Sequence, residues 1–329
     1  MIPEYESVND FDREIWYEEL EEFVPAKVFD AHVHLWDNIF CPSDTTWMNT
    51  DFSRLDAFSK AIFPGRELGY FILGTPTPGL DIDGYHKFMA DEIAKSPCRL
   101  GSTIVTPQMT AEYLDGIIRK YHFSGLKPYR LFAEDPVNCR IRDYLPECLI
   151  EVADENQLCI TLHMSRVDGI GDPENLADLE YFTSKYENVR WILAHCARAF
   201  NPYTLEKNIF KLKDLPHIYY DLSAVCDARS HYLLFKHEDL SRIMFGTDNV
   251  DAGGVHAKYI TWGKGWQYFK GMDVPHCRKD ATFVCYESLR SIKQAADMAG
   301  LTHDDVEDVF FNNAKCFFGF AANDFCSTT

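Results

Sequence analysis

Short apolar runs rich in β-branched and aromatic residues recur along the chain. They are KVFDAHVH (27–34), LGYFILGT (68–75), RLGSTIVT (99–106), FSGLKPY (123–129), LCITLH (158–163), VRWILAH (189–195), HIYYDLSAV (217–225) and RIMFGTD (242–248). Each has the length and composition of a strand. Helix-period patterns lie between them: 84–95 before the third run, 111–122 before the fourth, 143–156 before the fifth and 172–186 before the sixth. Two more, 281–300 and 302–318, follow the eighth. Asp172 suits an N-cap with Pro173 in the first helical position. Thr302 and Asp305 have the spacing of a capping box. Strands alternating with helices predict an α/β fold with a parallel sheet. The count of eight predicts a closed (β/α)8 barrel of TIM type. An open doubly wound sheet is the alternative, but the glycine-rich phosphate loop that would favour it is missing after the first run.

No low-complexity linker or internal repeat divides the chain, so residues 1–329 are expected to form a single domain. Its barrel core would run over 27–320, after an acidic N-terminal helix at about 10–22. Two connections are long: 35–67 with Trp36 and Trp47, and 249–280 with Trp262 and Trp266. Loops that follow barrel strands lie over the mouth of the barrel, so these two are expected to cover a substrate. The composition, 46% hydrophobic and 14% aromatic, is ample for a large core.

The net charge of −19 disfavours binding to nucleic acid or to an acidic membrane surface. No apolar run is long enough to span a membrane, and the N-terminus lacks the basic and apolar regions of a signal peptide. The eleven cysteines are scattered from Cys41 to Cys326 without a CxxC pair, which reads as reduced thiols in a cytoplasmic protein.

The chemistry concentrates at the ends of the runs. In VFDAHVHLWD, strand alternation puts His32 and His34 on one face with Asp30 below them, and Phe29, Ala31, Val33 and Leu35 on the other. An HxH pair alone is a weak signal in a chain with twelve histidines. Its company is more telling. Lys127 lies near the end of the fourth run, His163 ends the fifth, His195 the sixth and Asp248 the eighth. In a barrel those tips converge. Burying so many ionisable groups without partners is costly, and a divalent metal held by imidazoles and a carboxylate removes the cost. A cation also follows three of these residues by three positions: Arg130 after Lys127, Arg166 after His163 and Arg198 after His195. Guanidinium groups suit carboxylates, so a small substrate bearing a carboxylate is expected, with Trp36 as a further contact. Pairing of the arginines with structural acids such as Asp135 or Asp168 is the competing reading. Asp221 and Ser223 are weaker candidates to line the site. Cys196 should point away from it.

Histidines on the first, fifth and sixth strands and an aspartate on the eighth resemble the amidohydrolase superfamily. The segments DAHVHLW, WILAHCARAF, YYDLSAV, IMFGTDN and FFNNAKCFF are similar to its amidohydrolase-2 branch, the aminocarboxymuconate-semialdehyde-decarboxylase-like proteins, over about residues 27–320. The resemblance implies one divalent ion, zinc first and manganese second, held by His32, His34, His163 and Asp248. It implies His195 as the proton-transfer residue, with a second-metal ligand as its alternative role. Lys127 matches the position of a carboxylated lysine in binuclear relatives, and an ordinary ammonium is expected here. Hydrolysis of an ester, lactone or amide by metal-activated water is the first reaction implied, with His195 or Asp248 moving the proton. Non-oxidative decarboxylation of an aromatic or unsaturated acid is the second. A barrel that binds a ligand without turnover is the reading from outside enzymology. A homodimer is implied by the resemblance alone. No serine-hydrolase elbow is present.

Overall fold

The structure is a computed structural model that describes residues 7–42, 49–249, 253–270 and 275–321. Trp47 and Cys326 lie outside the described residues. Eight strands are hydrogen-bonded in sequence order: β1 (Lys27–Leu35), β2 (Glu67–Gly74), β3 (Leu100–Val105), β4 (Gly125–Pro128), β5 (Cys159–Leu162), β6 (Arg190–Leu193), β7 (Ile218–Asp221) and β8 (Ile243–Met244). All neighbouring pairs are parallel. The cylinder is nearly closed by backbone bonds between the first and last strands' segments, from Ala31 N–H to Phe245 O (2.9 Å) and from Asp248 N–H to His32 O (2.8 Å). Burial on both faces explains why the strands read as almost unbroken apolar runs.

A helix follows every strand. The expected ones appear at Ile82–Ile93, Ala111–Tyr121, Glu147–Glu155, Pro173–Lys185 and Val284–Ala299. Asp172 caps the fourth of these, accepting from Glu174 N–H at 2.9 Å. Gly300, at φ +73°, ends the fifth in the left-handed conformation that glycine adopts without steric cost. The Thr302–Asp305 capping box forms. Three helices go beyond the expectation: Phe52–Ile62, Pro202–Lys213 and Ala228–His237. The first shortens the long connection after β1. The connection after β8 carries an antiparallel hairpin, β9 (Lys258–Trp262) with β10 (Gly265–Phe269).

The expected alternation along β1 is overturned at one point. The β1–β2 register shifts between Asp30 and Val33. Phe29 and Ala31, expected to face the helices, instead join Phe71, Leu73, Cys159, Ile192 and Met244 in one apolar cluster. Residues from five strands meet only inside a barrel, so this cluster is its apolar floor. Phe320 closes it, stacked on Phe29 at 4.8 Å. A bulge inserts an extra residue and resets which side chains face in. It lets the floor be apolar and the tip, at His32 and His34, be polar. Asp30 therefore does not sit beneath the histidines on their face. It turns to Thr247, accepting from its N–H (2.9 Å) and its hydroxyl (2.5 Å).

The N-terminal helix is Asp10–Ile15, continued by a π-helical turn at Trp16–Leu20. It is tied to the root of the β8 connection through Asp12, which is fully buried. Asp12 accepts from His256 Nε2 at 2.8 Å and from the Thr282 hydroxyl at 2.7 Å. Removing one partner of such a buried group strands the others, so Asp12→Ala is expected to cost about 2–4 kcal/mol in denaturant unfolding. Tryptic cleavage within the hairpin, at Lys264, should rise in parallel.

Candidate metal centre and active site

The strand tips surround a cavity of about 300 Å³ lined by His32, His34, Lys127, His163, His195 and Asp248, with Arg130, Arg198 and aromatic side chains above them. Lys127 lies within β4 and His34 within β1, whereas His163 directly follows β5 and His195 is the second residue after β6. Asp248 stands four residues beyond β8, at φ +63°.

His32 Nε2 and His34 Nε2 are 3.1 Å apart. The Asp248 Oδ1 atom is 3.1 Å from the latter and 3.4 Å from the former. His34 Nδ1 faces the Gly74 carbonyl at 3.2 Å, so that nitrogen carries the proton. His32 Nδ1 faces Asp221 Oδ2 at 2.9 Å and carries its proton too. Both Nε2 atoms are then bare lone pairs. They converge with a carboxylate oxygen on one point. Such a donor set fits a cation. His195 also reaches this point, since His32, His195 and Asp248 each offer a ligand atom within 4.8 Å of the others. His163 is one ring further along, 5.2 Å from His195 between ring centroids, with Nδ1 against Met164 O at 3.1 Å.

The electrostatics agree. Burial and then the charge of Lys127 hold His32 well below the usual histidine range. Burial, His195 and Lys127 do the same to His163. Neutral imidazoles are the ligating form. Burial lifts Asp248 to about 6 against the pull of His195 and Lys127. Burial lowers Lys127 to about 8, opposed by Asp221 and Asp248. Lys127 is fully buried and its Nζ has no hydrogen-bond partner among the described residues, only the Tyr129 ring at 5.0 Å. Asp221, despite its burial, is held well below the carboxylate range by His32, His195 and Ser223.

His195 opens an unusual segment. His195, Cys196, Ala197 and Arg198 have φ of 57°, 53°, 61° and 60°, a left-handed turn without a glycine. Each such residue costs about 1–2 kcal/mol. The compensation is local: His195 N–H donates to Asp221 Oδ1 at 3.0 Å, and Arg198 donates to the Ser165 and Arg166 carbonyls. Gly169 packs against the turn, where a Cβ would lie 3.4 Å from that of Arg198. Cys196 is buried in the main core, as expected.

Of the three arginines, Arg130 and Arg198 line the cavity and Arg166 does not. Arg166 pairs with Asp172 at 2.8 Å and donates to Asn138 O at 2.6 Å. Trp36 is buried in the main apolar core, its backbone paired with Thr50, and does not line the cavity. The aromatic wall comes instead from Tyr129, Phe200, Trp266 and Tyr268. The hairpin brings Trp266 onto Phe200 at 3.9 Å, and Phe200 stacks on His195 at 5.3 Å. Among the described residues, Trp266 is the one tryptophan of the long connections that lines the cavity. Asp221 and Ser223 stand behind the lining rather than in it.

A family model described as amidohydrolase, Amidohydro_2, matches residues 29–320. No curated protein matches the sequence. Solved structures match the fold. An amidohydrolase from Burkholderia multivorans with bound zinc is 13% identical, with a TM-score of 0.59 over 90% of this chain and 100% of that one. A probable 2-pyrone-4,6-dicarboxylic acid hydrolase from Acinetobacter baumannii with citric acid bound is 12% identical, with a TM-score of 0.58 over 89% and 99%. A 5-carboxyvanillate decarboxylase from Novosphingobium aromaticivorans, complexed with manganese and 4-hydroxy-3-methoxy-5-nitrobenzoic acid, is 14% identical, with a TM-score of 0.55 over 91% and 97%.

Proposed function

The chain belongs to the amidohydrolase-2 family, and from that premise we propose that it is a metal-dependent hydrolase of an ester, lactone or amide bond in a small carboxylate-bearing substrate. The convergence of imidazole nitrogens and a carboxylate oxygen, beside a buried lysine with no hydrogen-bond partner among the described residues, carries this reading. His32, His34, His163 and Asp248 would hold one divalent ion, zinc first and manganese second, in keeping with the ions of the neighbours. Such an ion lowers the pKa of water and polarises a carbonyl.

The chain's own groups do the rest. His195, beside the Asp248 carboxylate, takes the proton from the attacking water and returns it to the leaving group. Lys127 and the two cavity arginines bind the substrate carboxylate. Citric acid and a nitrobenzoic acid, the ligands of two neighbours, are both carboxylic acids. The Phe200–Trp266 stack excludes water from one side. Decarboxylation of a planar acid is the second reading, favoured by that flat aromatic wall.

A hydrolase consumes base against lactones or activated esters in proportion to turnover. A decarboxylase releases CO2 from hydroxybenzoate-like acids and exchanges a ring hydrogen in D2O. His195→Ala is expected to lower kcat by about 10²–10⁴-fold with its metal content unchanged. His163→Ala should lose metal as well. Loss of metal from His195→Ala and its retention in His163→Ala would exchange the two roles. Unchanged ligand affinity in His195→Ala, with no turnover by either protein, would point to a binding barrel.

A further inference from the structure

Asp221 ends β7 and is fully buried behind the cavity lining. Its Oδ2 accepts from His32 Nδ1–H at 2.9 Å. Its Oδ1 accepts from the backbone N–H groups of His195 (3.0 Å) and Ser223 (3.1 Å) and from the Ser223 hydroxyl (2.5 Å). That hydroxyl has one hydrogen, and Asp221 takes it. Its oxygen can then only accept from His195 Nδ1, 2.9 Å away, and the Ser223 carbonyl accepts from the same nitrogen at 3.1 Å. His195 therefore carries its proton on Nδ1 and turns a bare Nε2 to the cavity. His32 is fixed in the same tautomer.

We infer that Asp221 is the positioning residue of the site, setting the ring tautomer of His32 through Nδ1 and holding the backbone of His195 through its N–H, so that one carboxylate orients both a metal ligand and the proton carrier. The assignment rests on the metal-dependent reading above for its consequence, and on the hydrogen bonds alone for its geometry. Partners that orient a ligating histidine tune its affinity for metal as well as its direction.

Asp221→Asn gives a sharp test because the amide has only one way to sit. Two backbone N–H groups, of His195 and Ser223, point at the Oδ1 position and cannot become acceptors. The amide oxygen must stay there, and the NH2 group must face His32 Nδ1. His32 then accepts at Nδ1 and moves its proton to Nε2, into the ligand cluster. His195 keeps its tautomer, because Ser223 can still donate to the amide oxygen.

The experiment uses the full chain labelled with 15N-histidine, freed of metal, and reads the imidazole nitrogens by NMR. Zinc affinity is measured separately against a competing chelator. In the parent, His32 and His195 should both be protonated at Nδ1. In Asp221→Asn, His32 should switch to Nε2–H while His195 does not, and zinc should bind about 10–100-fold more weakly. A parent His32 protonated at Nε2 would overturn the assignment. So would a folded variant, judged by its melting temperature, with unchanged tautomer and zinc affinity. If the variant does not fold, the parent spectrum alone decides. A parent that binds no zinc or manganese would defeat the metal reading, while the tautomers would still decide the role of Asp221.

Discussion

Protein carrying His32→Ala and His34→Ala together is expected to hold under about a tenth of a zinc or manganese ion per chain, against about one in the parent. Turnover should fall at least about 10³-fold, because metal activation of water is lost with the ion. Elemental analysis and a base-consumption assay read the two effects. The double change removes both bare Nε2 atoms and leaves Asp248 without the two imidazoles it faces at 3.1 and 3.4 Å. In the presence of chelator the variant should stay folded because the apolar floor of the barrel is untouched, with a lowered melting temperature because the buried Asp221 loses the His32 donor. A parent content of about two ions would overturn the mononuclear assignment and give Lys127 a bridging role as a carboxylated side chain.

Lys127→Met is expected to make the protein more stable and less able to bind substrate. The ammonium of Lys127 is buried without a hydrogen bond among the described residues, and burial lowers it from 10.5 to about 8. Below pH 8 the folded and unfolded chains both carry this proton, and folding bears the full penalty of burying the charge. Between pH 8 and 10.5 the unfolded lysine stays protonated while the folded one does not. Stability contributed by this site therefore rises with pH across that window. The shift corresponds to about 3 kcal/mol. A methionine of similar volume should recover about 1–3 kcal/mol at pH 7, with the advantage shrinking towards pH 10 in metal-free protein. The KM for a carboxylate substrate should rise about tenfold or more, since a charge-assisted hydrogen bond is lost. Urea titrations at the two pH values and initial-rate kinetics check each part. A variant less stable than the parent at pH 7 would mean that a partner compensates the ammonium.

The strands were legible because a parallel sheet leaves continuous apolar runs, and the site because its ionisable groups interrupt those runs at their ends. What escaped was set by contacts between distant segments. The bulge between Asp30 and Val33 contains no glycine, so nothing local announces it. The left-handed turn at His195–Arg198 is imposed by Asp221 and by the carbonyls that Arg198 reaches. That turn explains why equal spacing misled for the arginines. Arg198, in the turn, is brought to the cavity, whereas Arg166 is led away to Asp172. Trp36 and Trp266 both stand in long connections. Only the antiparallel pairing of β9 with β10 carries Trp266 back over the mouth. The helix Pro202–Lys213 did leave a signal, Pro202 followed by Leu205, Ile209 and Leu212, but the non-periodic segment before it masks the rhythm.

The groups that converge on the candidate ion come from opposite ends of the sheet's order: His32 and His34 from the first strand, Asp248 from the segment after the last. The seam of the cylinder runs between them, and β8 contributes only Ile243 and Met244 as regular strand. A cation gripped from both sides would act there as a rivet. Its withdrawal should then loosen the join first, with faster amide exchange at Ala31, His34 and Asp248 than in the staves on the far side of the barrel.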